Sequence, residues 1–153
     1  MRNKEIIRYQ QRLDKLFDKI KDIQDIELQS HWARYLCILV SGYIETSIRS
    51  IYIEYARKRA DSNIADFVSN TLKDFRSPNM NKILDLVHDF NPQWEVELKN
   101  FTDGELKDSV DSIVSTRHNI AHGRNVGISY VTIKKYYQNA IKVIELIDAQ
   151  CNS

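Results

Sequence analysis

The chain has 153 residues, one domain's worth and long enough to bury a sizeable core. Four glycines, two prolines and 28% charged residues exclude a low-complexity or disordered chain and suit a helical protein better than a sheet-rich one. The formal net charge of +1 decides nothing about nucleic acid, but its distribution is uneven: Ser112 to Ile144 holds no Asp or Glu, while Arg117, Arg124, Lys134, Lys135 and Lys142 all fall there.

The first twenty residues mix Lys, Arg, Asp and Glu with isolated apolar positions, with no signal-peptide core and no apolar run long enough for a bilayer. The expectation is a cytosolic chain with no membrane partner. Cys37 and Cys151 lie far apart without Cys-x-x-Cys spacing, which fits reduced thiols acting as small hydrophobes.

An amphipathic helix is predicted from Lys4 to about Ile23, with Ile7, Leu13, Leu16, Phe17, Ile20 and Ile23 among its apolar positions. From Trp32 to Ala56, apolar pairs repeat every four residues, from Tyr35/Leu36 to Tyr55/Ala56, opposite a row that includes Ser41, Gly42, Glu45 and Arg49. Such a stripe drifts by about 40° per step and meets different neighbours along its length, so this is the central helix of the fold. Asp61 or Ser62 offers an N-cap for a shorter helix carrying Ile64, Phe67, Val68 and Leu72. After Pro78 another short helix turns Met80, Ile83, Leu84 and Val87 inward, ends at Asn91-Pro92, and gives way to an irregular connection from Trp94 through Val96 and Leu98. Asp103 opens the next helix and Gly123 closes it. Gly127 loosens the link to a last helix, capped by Ser129 or Thr132, that carries Ile133, Tyr137, Ala140, Ile141, Ile144 and Ile147. The expected fold class is all-α, an antiparallel helical bundle with a long central helix and additional short helices, in a single domain over residues 1–153.

The most informative stretch is Arg117-His118-Asn119-Ile120-Ala121-His122-Gly123. Leu106, Val110, Ile113, Val114 and Ile120 mark one helix face, and Arg117 falls on the same stripe. A guanidinium leaves water at a cost unless it meets an acceptor, so something anionic is expected at this face. The surrounding positive zone is what a polyanion needs, since Lys and Arg that neutralise phosphates release condensed counterions. Other readings stand beside this one. Arg117 could pair with a buried acid, for which Glu45 is the candidate, yet Arg49 lies four residues after Glu45 in the order that favours a surface pair. His118 and His122, four apart, could hold a zinc ion from one helix face, but no Glu, His or Cys nearby completes a site. His31 and His88 read as incidental.

This motif, on the penultimate long helix of an all-helical domain, resembles the HEPN superfamily of helical-bundle ribonucleases, whose signature is Arg, a polar residue, three more, then His. His118 satisfies the polar position, and Arg117 to Arg124 looks most like the RiboL-PSP branch. The helix containing Glu45, Phe75-Arg76-Ser77-Pro78-Asn79, the Trp94 region and Lys134-Lys135-Tyr136-Tyr137 follow in the expected order, over roughly residues 35 to 148. The resemblance implies metal-independent endoribonucleolytic cleavage, without a cofactor, in which a ribose 2′-hydroxyl attacks the adjacent phosphate to leave a cyclic phosphate and a 5′-hydroxyl. Within it, His122 would move the proton, Arg117 would hold the phosphoryl oxygens, and His118 and Asn119 would orient the phosphate or ribose, with His118 able to share proton transfer. Arg124, Lys134 and Lys135 are the expected RNA-binding residues. Tyr130, Tyr136 and Tyr137 fit packing at least as well as base stacking.

Residues five apart on an ideal helix point about 140° from each other. Either the helix end near Gly123 redirects His122, or a second copy faces the first across a two-fold axis and completes the site. HEPN relatives are generally dimers, so a homodimer with Arg117 and His122 near its axis is expected. The resemblance also implies a toxin or defence role, with an antitoxin or regulatory protein as partner. The branch paired with nucleotidyltransferase antitoxins tends to carry a tyrosine two residues after the motif histidine, where this chain has Arg124. The alternative function is a non-catalytic helical module that binds RNA, nucleotide or a partner protein.

Overall fold

In a computed structural model, which describes residues 3–153, the chain forms seven α-helices, with no strand among the described residues. Residues 1 and 2 of the expected 1–153 domain lie outside the described part. The helices are α1 (Lys4–Lys21), α2 (Ile26–Arg59), α3 (Ser62–Leu72), α4 (Met80–Phe90), α5 (Pro92–Thr102), α6 (Glu105–Ala121) and α7 (Tyr130–Cys151).

Asn3 sets the start of α1: its side-chain oxygen accepts from the backbone N–H of Glu5 and Ile6, and its amide donates to Ser50 Oγ at 2.7 Å and Glu54 Oε2 at 2.9 Å. With Tyr9 further along donating its hydroxyl to the Leu39 carbonyl at 2.9 Å, α1 runs back along α2 in the opposite direction. Gly42 makes this approach possible, because a Cβ there would stand 2.6 Å from the Tyr9 hydroxyl oxygen. α2 packs against α1, α3, α6 and α7, and buries Leu36, Val40, Tyr43, Ile44, Ile48, Ile51 and Tyr52. It is long and apolar enough to cross a membrane by composition, and here it is the core helix. It begins at Ile26, six residues before the expected start, because the Asp25 carboxylate caps it through Leu28 N–H at 3.1 Å.

α7 lies beside α2 and α1 through an aromatic stack. Phe17 and Tyr137 are parallel with centroids 4.9 Å apart, Tyr43 meets Tyr137 edge-on at 5.8 Å, and the Tyr137 hydroxyl donates to Asp14 at 2.8 Å. Burial and the adjacent Asp14 carboxylate push the Tyr137 phenol well above its ordinary range. Asn139, buried on α7, donates to Ser109 Oγ of α6 at 2.9 Å, which supplies a buried amide with the partner it needs.

The segment from Trp94 is helical, a correction to the irregular connection expected. Asn91 ends α4 and its side chain caps α5 through Gln93 N–H, with Pro92 at the first helical position, so the dipeptide taken for a turn starts a helix. Gln150 Nε2 fastens α5 to α7 by donating to the Trp94 carbonyl at 3.0 Å. Two further expectations shift. Asp103 closes α5 rather than opening α6, and Gly104, at φ 97°, makes the corner between them. On α3, Ala65 and Leu72 are buried while Ile64 and Phe67 face solvent.

Candidate active site

Ser109, Val110 and Ile113 are the buried residues of α6, and they bring its last turns against α2, where the Cys37 thiol donates to the Ile113 carbonyl at 3.5 Å. Arg117 continues this face one turn later and is half-buried. No carboxylate stands within ion-pairing distance of its guanidinium among the described residues, and no side-chain hydrogen bond holds it there. The donors of this half-buried cation are therefore not taken up by any side chain among the described residues.

Two backbone bonds close the helix end. Gly123 N–H donates to the Ile120 carbonyl at 3.0 Å and Arg124 N–H to the Asn119 carbonyl at 2.9 Å, with Gly123 in the left-handed region at φ 69°. This is the glycine-dependent helix stop, and it satisfies carbonyls that would otherwise point into solvent unpaired. The Arg124 guanidinium then folds back to the Asn119 side-chain oxygen at 2.7 Å. The structure brings Asn119 and Arg124 together, with the amide oriented by the cation.

His122 keeps near-helical backbone angles of φ −90° and ψ 13°, and its N–H still donates to the His118 carbonyl at 3.1 Å. Its ring therefore stands over that of His118, centroids 4.3 Å apart and tilted by 55°. The helix end does not redirect His122 toward Arg117, and the two side chains leave the helix about 140° apart. Both imidazoles are exposed, and no third His, Cys, Asp or Glu joins them in a metal-binding group among the described residues. Surface grooves lie along α1, between α1 and each of α2 and α7, and beside the α3–α4 link.

The other expected residues separate. Lys134 lies over the Phe17 ring, 5.0 Å from its centroid, on the α1 side of α7. Lys135 pairs with Glu105 at 2.9 Å, and Glu105, whose carboxyl is held below its usual range by that lysine, is the first residue of α6. Twelve residues, about 18 Å of helix, separate Glu105 from Arg117. Lys135 thus lies beside the far end of α6, away from the motif. Tyr137 is core, and the half-buried Tyr130 donates its hydroxyl to the Phe17 carbonyl at 3.1 Å.

Glu45 is occupied elsewhere. One carboxylate oxygen takes Arg49 at 2.8 Å and the other the Ser77 N–H at 3.0 Å, while Arg49 also donates to the Phe75 carbonyl at 3.0 Å. The pair clamps the α3–α4 link at Ser77, whose φ of 47° is left-handed. Sequence reasoning passed over Arg34, one turn before Cys37 on α2, whose Nε is buried without an acceptor. The only signal was a cation amid the apolar pairs of the central helix.

The family model RiboL-PSP-HEPN matches residues 4–153. No curated protein and no solved structure matches the chain.

Proposed function

The chain belongs to the RiboL-PSP-HEPN family, and from that premise we propose that it is a metal-independent endoribonuclease whose active site is assembled from Arg117 and His122 of two copies. The single observation that carries the reading is the unpartnered, half-buried Arg117 on the same helix end as an exposed histidine pair. The ribose 2′-oxygen attacks the adjacent phosphorus, its proton passes to a base, and the departing 5′-oxygen receives a proton. The products are a 2′,3′-cyclic phosphate and a 5′-hydroxyl. His122 carries the proton, since an exposed imidazole has one nitrogen that accepts a proton and one that donates it. Arg117 holds the phosphoryl oxygens as negative charge builds on them. His118, whose ring lies against that of His122, orients it or shares the proton, and Asn119 with Arg124 presents a polar edge to the ribose or phosphate.

Divergence of Arg117 from His122 on one helix supports a two-fold arrangement in which each copy supplies one of the two side chains to a site. A ribonuclease without a recognisable specificity module suits a toxin or defence effector restrained by an antitoxin or regulatory protein, working in the cytosol.

Mixing inactive Arg117→Ala and His122→Ala proteins tests the reading. If the site is shared, each mixed dimer regains one intact site, and exchange restores about a quarter of native cleavage. No recovery in mixtures shown to form mixed dimers removes the shared site, and no cleavage by the native dimer removes the ribonuclease.

A further inference from the structure

We infer that the solvent face of α1, together with the groove between α1 and the first half of α2, is a binding track for single-stranded RNA. The inference rests on the ribonuclease reading only in taking RNA as the polyanion.

Lys4, Arg8, Arg12, Lys15 and Lys19 are all exposed. Their spacing confines them to an arc of about 80° and spreads them over about 22 Å of helix. None has a carboxylate within ion-pairing distance among the described residues; on α1 only Lys21 does, with Asp18 at 3.7 Å. The ordinary solvated face of a helix mixes signs, whereas here Glu5 and Asp18 flank the arc, Asp14 lies about 80° outside it, Asp22 caps its C-terminal end, and the positions within it from Lys4 to Lys19 are cationic. A row of unneutralised cations at this spacing fits consecutive phosphates of an extended strand.

Beside the row lies a groove of about 420 Å³ lined by Tyr9, Arg12, Leu13, Leu16, Tyr35 and Leu39. Arg12 belongs to both, its guanidinium 5.2 Å from the centre of the Tyr9 ring. Tyr35 and Trp32, 46% and 39% exposed, meet edge-on at 5.7 Å on the α2 side. Cations along a backbone path with exposed aromatic rings next to them are the combination that holds single strands, the rings taking bases of any sequence. A second copy of the chain on the same face would set this row of like charges against itself, which disfavours a two-fold contact here. The row also leads to the right end of the bundle. The last turns of α1 abut the start of α7 through Tyr130 and Lys134 on Phe17, and α7 begins just beyond the Gly123 turn of the motif.

The test is fluorescence anisotropy with a dye-labelled oligouridine carrying 2′-O-methyl riboses, which cannot be cleaved. Arg8→Gln/Arg12→Gln/Lys15→Gln/Lys19→Gln, with native helicity and melting confirmed, is expected to weaken binding more than tenfold and to make the slope of log K against log salt shallower by about 2–3. Tyr35→Leu is expected to weaken binding about tenfold with little change in slope. Unchanged affinity and slope in the fourfold variant overturn the inference. So does a Tyr35→Leu that shifts the monomer–dimer balance while leaving RNA affinity alone, and so does binding of phosphatidylserine vesicles with no binding of RNA. Cleavage is a separate readout. Native protein that binds through the row but cuts no RNA removes the ribonuclease reading alone, and oligouridine binding that survives loss of the row beside normal cleavage removes this inference alone.

Discussion

Replacing Arg117 by methionine separates a residue held for its chemistry from one held for the fold. A buried structural ion pair that loses one member costs about 3–5 kcal/mol, because the other charge is left unpaired. Arg117 has no such partner, so its removal strands nothing. Methionine keeps an unbranched stem against the Val110–Ile113 face and has nearly the helix propensity of arginine, so neither packing nor backbone preference changes much. Removing the charge from a half-buried residue adds a gain of at most about 1 kcal/mol. The net expectation is a stability change between zero and about +1 kcal/mol, which for a chain of this size raises the melting temperature by about 0–4 °C. The assay is a thermal melt followed by far-ultraviolet circular dichroism, beside RNA cleavage by the same preparation. The variant should melt no lower than the native protein and should not cleave. A fall of about 6 °C or more would refute the reasoning and assign Arg117 to the fold.

Glu45→Ala should do the reverse. It orphans the Ser77 N–H and loosens Arg49 from the α3–α4 link, lowering stability by about 2 kcal/mol in urea titration, while RNA cleavage persists; an inactive but stable variant would move Glu45 into the site. Gly123→Ala places a side chain at φ 69° where no atom obstructs the added Cβ, so only backbone strain remains; a loss of about 1 kcal/mol is expected, and an unchanged melt would contradict it. Burial pushes the Cys37 and Cys151 thiols up to about 12, so both should resist a thiol reagent in the folded protein at about pH 8 and react on unfolding. Their folded values lie above the unfolded ones, so the unfolded chain releases these protons first. This contribution to stability is complete below about pH 9 and falls as pH rises toward about 12, which a pH series of urea midpoints reads directly.

The parts of the fold legible in the sequence were those whose elements carry both a core stripe and a punctuating residue. α4 between Asn79 and Asn91, the stop of α6 at Gly123 and the start of α7 at Ser129 all stand where cap chemistry and periodicity agree. The start of α2 was hidden because Ile26 and Leu28 are exposed, so nothing at core spacing announces the first turns and only the Asp25 cap marks them. α5 was hidden because it buries little more than Leu98 and Thr102, and the alternation of Trp94, Val96 and Leu98 does not have a helical period. The motif was legible as residue types in a short interval. The partition of the surrounding lysines was not, since whether Lys135 meets Glu105 or a phosphate depends on which turns of α6 and α7 lie side by side. The cationic face of α1 went unread because Glu5, Asp14 and Asp18 interrupt it in sequence and only the helix separates the signs.

Metal-independent cleavage by Arg117 and His122 is tested by RNA digestion in EDTA by the native protein, Arg117→Ala and His122→Ala, with the product ends identified. The expected outcome is 2′,3′-cyclic phosphate and 5′-hydroxyl ends from the native protein and loss of cleavage in both variants. Cleavage that requires added metal, leaves 3′-hydroxyl ends, or survives either substitution would contradict it.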